Sequence, residues 1–383
     1  MMSTNNLTTL ICCLSLLGSA TAQQRKPSFP DSNGMAIPLD AAHWQNDSGK
    51  VVFEQIGGVP IMRLLPMAGF TWLKDFDFTT GTIEFDWQPT DTTFSHFNFR
   101  YQSSMESECV YLRTARAGDS LAMDAVQYAP FIKGVNLWDM LLHFQATATF
   151  SKREWNRIKL IISEKQLLIF INDLSTPRLW VPELEGDVTS GTLAFSGEGL
   201  VANLAVKPGD TEGLPHQAGL DPTANDPRYL RQWLVSDPMD FPFGREPADL
   251  DLPKPDARWT DHRAERRGLL NITRLHGSKM PERQLIWIKA RIRSAIDQQK
   301  WMDFGFSDEV WLFVNGSYTY ADKNYYGTPI MKPPFGRCSI ENTAVYMPLK
   351  KGDNEILIGL ANNFYGWGVV ARLRDLHGIE ALE

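Results

Sequence analysis

The chain has 383 residues, long for a single hydrophobic core, so two domains are expected. Hydrophobic residues make up 43% and charged residues 22%, a balance that excludes general disorder. The formal net charge of −7 excludes a non-specific grip on nucleic-acid phosphate, and the densest basic cluster, Arg263, Arg266 and Arg267, is diluted by Asp261 and Glu265.

Residues 1–22 read as an export signal. A short apolar run from Leu7 to Leu17 precedes Ala20-Thr21-Ala22, a cleavage-type pattern, although no Lys or Arg marks its start. No other stretch is apolar enough for a membrane span, so an exported chain with no span is expected: periplasmic, cell-surface or secreted. Loss of the signal leaves Cys109 and Cys338, which read as two lone buried thiols.

Short strands then dominate. The run 81–88 (GTIEFDWQ) alternates, with Ile83, Phe85 and Trp87 on one face and Glu84, Asp86 and Gln88 on the other. Runs at 94–101, 109–113, 155–162, 167–172, 191–196 and 201–206 continue the pattern with no long amphipathic helix between them. That spacing predicts an antiparallel β-sandwich over about residues 30–208. From 209 to 281, proline and aspartate cluster in DPTANDP, SDPMDFPFG and ADLDLPKPD, predicting a semi-rigid, irregular bridge. Residues 282–383 form a second strand-rich block, in which Asn315-Gly316 is a hairpin-turn signal. The fold class expected is all-β, two antiparallel sandwiches joined by a proline-rich bridge.

Two resemblances follow from particular residues. SDEVWLFVNGSY (307–318) and MPLKKGDNEILIGLAN (347–362) resemble the galactose-binding-like jelly roll of β-galactosidase-type glycoside hydrolases. GTIEFDWQP, FNFRY, CVYLRT, MDAVQYAP and REWNRIKLIISEKQLLIFIND are similar to the concanavalin A-like (laminin G-like) jelly roll near the 3-keto-disaccharide hydrolase family. Both resemblances imply jelly-roll folds; the C-terminal motif is scaffold and leaves the ligand open, and the N-terminal strand motifs speak to fold more than to chemistry.

Three groups of residues are candidates for chemistry. Glu84 and Asp86 project from one side of a strand about 6.5–7 Å apart, near the separation of a glycosidase carboxylate pair. The resemblance to retaining concanavalin A-like glucanases implies a Glu-x-Asp-x-(x)-Glu pattern on such a strand, but here its third acid is replaced by Gln88 or, one further, Pro89. Glutamine cannot donate a proton to a leaving group, and the same pair also suits the polar outer face of an ordinary strand. Asn98, Arg100, Arg113, Gln127 and Tyr128, followed by Trp138, combine planar amide and guanidinium groups with aromatic faces. These suit sugar hydroxyls and C–H surfaces; the same groups also suit a buried polar ladder holding a sheet together. A secondary set, Tyr325 and Tyr326 with Asn362, Asn363, Tyr365 and Trp367, suits either a sugar-binding rim or packing between domains. The seven histidines show no zinc spacing and no cofactor is implied. Asp237, Asp240, Asp249, Asp251 and Asp256 could supply oxygen ligands to a structural calcium, but their spacing matches no EF-type loop and suits a solvated turn. The leading expectation is a carbohydrate-binding protein using the N-terminal jelly roll. The alternatives are a glycan-cleaving enzyme and a structural or adhesion module that binds a protein.

Overall fold

The computed structural model describes residues 34–91, 93–279 and 282–382; the expected export signal lies outside the described residues. The chain is all-β, with two sandwiches, and the one α-helix among the described residues is the single turn Ile272–His276. No described helix is long and apolar enough to cross a membrane.

In the N-terminal sandwich, Gly81–Pro89 lies at the centre of the first sheet, between Asn156–Ile162 and Gly199–Pro208. The second sheet runs through Glu106–Arg113, Phe94–Ser103, Thr192–Ser196, Thr71–Leu73 and Trp44–Asn46, with Val126–Tyr128 beside Glu106–Arg113. Strand alternation sends Ile83, Phe85 and Trp87 inward. Phe85 meets Phe97 at 4.9 Å between ring centroids, and Trp87 stacks on Phe195 at 6.3 Å. Those ring contacts join the two sheets.

The C-terminal sandwich pairs Gln284–Ser294, Gly352–Ala361 and Glu309–Val314 in one sheet and Gly368–Leu373, Gln298–Ser307 and Thr343–Leu349 in the other. Ile286, Ile288, Val310 and Ile358 face Met302, Phe304, Phe306 and Val369 across its core. The Asn315-Gly316 turn takes φ of 52° and 76°, which reverses Glu309–Val314 into Ser317–Lys323. The stretch expected to be an irregular bridge contributes real strands. Gln232–Ser236 and Trp259–Arg263 extend the first C-terminal sheet, and Leu269–Asn271 pairs with Gly368–Leu373. Prolines only punctuate these strands, while Trp233 and Val235 alternate into the core.

The two sandwiches share a packed seam. Tyr229, Leu269, Cys338 and Val370 belong to the same apolar cluster as the N-terminal core, and both Cys109 and Cys338 are buried and unbridged. Arg274 reinforces the seam: its Nε contacts Glu265 at 2.7 Å, its Nη2 donates to the Glu185 carbonyl at 2.6 Å, and it pairs with Asp187.

One buried acid leaves a pH signature. Glu108 is wholly buried on the core side of its strand, accepting from the Tyr128 hydroxyl at 2.5 Å. Burial pushes its carboxyl up to about 7 from an ordinary 4.5. The folded state therefore holds this proton where the unfolded chain has released it. The resulting stabilisation is complete below pH 4.5 and is lost as pH rises through 7, by on the order of 3 kcal/mol. Thermal unfolding midpoints of Glu108→Gln should fall less between pH 5 and pH 8 than those of the parent; parallel profiles would contradict this.

Candidate functional site

The outer face of the second N-terminal sheet carries an array of polar and aromatic side chains. Register pairs His96 with Tyr111 and Tyr111 with Gln127, so these residues share that face. The Gln127 carbonyl oxygen accepts from the Tyr111 hydroxyl at 2.9 Å and from Arg113 Nη2 at 2.8 Å. Its amide nitrogen donates to the Trp138 carbonyl at 2.7 Å. Gln127 is wholly buried and holds three neighbours in place.

Above this array lies a cleft of about 240 Å³ between the two sandwiches. Its N-terminal wall includes Phe94, His96, Tyr111, Arg113, Phe131, Asn136 and Trp138; Tyr326, Phe364 and Tyr365 close it from the C-terminal side. Trp138 is the hub, edge-on to Tyr326 at 4.7 Å and to Tyr365 at 5.8 Å, with the Arg337 guanidinium 5.2 Å from its ring centre. Trp138 is itself packed at 9% exposure, whereas Tyr326 and Tyr365 remain 46% and 40% exposed. The tyrosines therefore present ring surface, and the tryptophan fixes them.

The C-terminal loop is held from below. Asp308 Oδ2 accepts from the backbone N–H groups of Asn363 and Phe364 at 2.6 and 2.7 Å. Asp139, from the N-terminal sandwich, accepts from Gly366 N at 3.1 Å. A side chain at Gly366 would place its Cβ 2.6 Å from Met140 Cγ and 2.9 Å from Asp139 Oδ1, so this close approach requires glycine. Burial pushes the Asp308 carboxyl up to about 7, and burial followed by repulsion from Asp308 drives Asp139 well above the usual carboxylate range. Burial also pulls His96 down to about 4, so its imidazole is neutral at neutral pH. Among the described residues, no carboxylate lines the cleft.

The expected site residues divide sharply. Arg113 and Trp138 meet Tyr326 and Tyr365 in the cleft. Asn98 is wholly buried, its carbonyl oxygen accepting from Ser107 Oγ at 3.2 Å, and lies with Gln127 beneath the surface. Tyr128 corrects the expectation of a stacking face, because its alternation turns the ring into the core, where its hydroxyl serves Glu108. Arg100 is likewise spent on the carbonyls of Thr79 at 2.9 Å and Ser163 at 2.8 Å. Asn362 and Trp367 are wholly buried supports; Trp367 Nε1 donates to the Gly277 carbonyl at 2.7 Å. Tyr325 is half-buried near Glu309 and outside the cleft wall, and Asn363 contributes its backbone N–H to Asp308.

Glu84 and Asp86 lie on the outer face of the opposite sheet. One guanidinium, Arg157, binds them at 2.7 and 3.1 Å, and Asn203 Nδ2 donates to Asp86 at 2.7 Å. Gln88 donates to the Arg153 carbonyl at 2.6 Å, so the position of the missing third acid is an anchor to backbone. Of the calcium candidates, Asp251 pairs with Arg245, and no group of three or more metal-binding side chains occurs among the described residues. Phe94, His96 and Phe131 carry no motif, while Phe364 lies within the aromatic loop 362–367. For Phe94 and His96 the signal is their two-residue spacing, on the same face as Asn98.

Removing Gln127 would strand Tyr111, Arg113 and the Trp138 carbonyl. Gln127→Ala should cost about 3 kcal/mol in chemical denaturation, against about 1 kcal/mol or less for Tyr365→Ala. Equal losses would show that the ladder does not carry the wall.

No family model and no curated protein matches this chain. Among solved structures it is similar to a carbohydrate-binding module, CBM66, from Bacillus subtilis, at 12% identity over 47% of this chain and 98% of that one, with a TM-score of 0.32. A putative glycosyl hydrolase from Parabacteroides distasonis matches at 14% over 45% and 90%, TM-score 0.31. A β-glucanase from Bacillus licheniformis matches at 9% over 46% and 98%, TM-score 0.30. Each covers under half of this chain, so the functional reading rests on the residues of the cleft.

Proposed function

We propose that this chain binds carbohydrate in the cleft between its two sandwiches and acts outside the cytoplasm. The observation that carries the reading is the convergence of two half-exposed tyrosines from one sandwich on an aromatic and polar wall from the other. Sugar rings present C–H surfaces that pack on aromatic faces and hydroxyls that need both donors and acceptors. Tyr326, Tyr365 and Phe94 supply the faces. Asn136 donates its amide to the Ala129 carbonyl at 2.8 Å, which turns its own carbonyl into an acceptor at the wall. Arg113 stiffens this wall, donating to the Asp124 carbonyl, the Tyr111 hydroxyl and the Gln127 oxygen, and neutral His96 adds one ring-nitrogen donor and one acceptor. The apolar run and Ala20-Thr21-Ala22 pattern at the start of the sequence support the exported location.

Cleavage through Glu84 and Asp86 is the weaker reading. Their carboxylates are tied to Arg157 on the far sheet, with no general acid at Gln88. The test is a glycan array on residues 23–383, followed by titration calorimetry and a product-release assay on the same sugars. Tyr326→Ala and Tyr365→Ala should each weaken binding about tenfold, while Glu84→Gln leaves affinity unchanged. Sugar release abolished by Glu84→Gln, or affinity indifferent to both tyrosines, would overturn the proposal.

A further inference from the structure

A second recess lies on the same outer face, farther from the C-terminal sandwich. It is an open groove of about 1080 Å³ whose aromatic floor is Phe70, Trp72 and Tyr101. Trp72 and Tyr101 are stacked with centroids 6.2 Å apart and planes 29° apart. Phe70 lies 5.3 Å from Tyr101 on one side and 5.5 Å from Phe131, a wall residue of the cleft, on the other. Phe70 and Phe131 are both half-buried, so one run of rings leads from groove to cleft.

Strand register fixes the span. Trp72 pairs with Ala194, Ala194 with Asn98 and Asn98 with Cys109, which packs against Trp138. Three strand spacings separate the ends, roughly 14 Å, more than one sugar ring covers. The groove's charged lining is Asp47, Asp75 and Asp77 against Lys74, with Gln45 and Gln102 as amides. Carboxylates and amides accept from neutral hydroxyls, whereas the excess negative charge repels uronate or sulfate groups.

We propose that the groove at Trp72 and Tyr101 is a second sugar subsite, so that the chain takes an uncharged oligosaccharide lying across this face from the cleft. This rests on the cleft being a carbohydrate site. The ligand is polymeric, and selection acts against acidic glycans.

The experiment titrates residues 23–383 with size-graded neutral oligosaccharides from xylan, β-glucan, fructan and galactan, with oligogalacturonate as the charged control. Affinity for at least one neutral series should rise with length, and Trp72→Ala should weaken its long members roughly tenfold and abolish the rise. Asp77→Lys, at an exposed rim position, should admit oligogalacturonate and tests the charge argument without touching the aromatic floor. A length dependence that survives Trp72→Ala, or oligogalacturonate bound as tightly as the neutral series by the parent, would overturn the second subsite. In that case a loss of short-oligomer binding in Tyr326→Ala would leave the cleft reading standing. Failure of every neutral series to bind would overturn both.

Discussion

The second N-terminal sheet has two faces that need cover, and its own sandwich covers the inner one but only part of the outer one. The inner face packs on Phe85 and Trp87. The outer face, carrying Cys109, Tyr111 and Ala129, is too apolar to be left in water, and part of it is covered by Trp138 and Phe364. Fully burying one large apolar side chain contributes ~1.5–3 kcal/mol, so a seam that also buries Leu269 and Val370 resists separation. Cover is incomplete where Phe94, Tyr326 and Tyr365 stay exposed. The cleft is the place where one sandwich stops covering the other.

Polar groups set the registration across this seam. Asp139 reaches across to Gly366 N through its carboxylate, and its backbone carbonyl accepts from Cys338 N at 2.9 Å. Lys133 Nζ donates to the Leu275 carbonyl at 2.8 Å, and Arg266 Nη1 contacts Glu183 at 3.1 Å. Apolar burial is non-directional and would allow the sandwiches to slide. Hydrogen bonds to fixed backbone groups allow one arrangement, and that arrangement puts Tyr326 edge-on to Trp138.

The sequence reveals the sandwiches because a two-residue period is a local property. Ile83, Phe85 and Trp87 face the core as their alternation requires. The same rule, applied to Gln127-Tyr128, identifies which of the two turns inward once one neighbour's face is known; residue chemistry alone made both look like ligands. The cleft is less legible, since Arg113 and Tyr326 are over two hundred positions apart and nothing local joins them. Aromatic loops at 325–326 and 362–367 suit either a sugar rim or domain packing, and the structure shows these loops packed against the other sandwich with part of their ring surface exposed. Trp138 packs against Tyr326 and Tyr365, while the two tyrosines keep exposed surface. The stretch 209–281 misleads for a related reason: proline density predicts irregular chain, but short strands such as Gln232–Ser236 fit between prolines and gain their stability from pairing with Gln284–Ser294.

Both sandwiches are proposed to hold one ligand between them. A crystal structure of residues 23–383 grown with a neutral oligosaccharide that binds in solution tests it most directly. Sugar density is expected in the cleft, against Tyr326 and Tyr365 on one side and Arg113 and Asn136 on the other. Density confined to the sheet bearing Glu84 and Asp86, with the cleft empty of sugar, would contradict it.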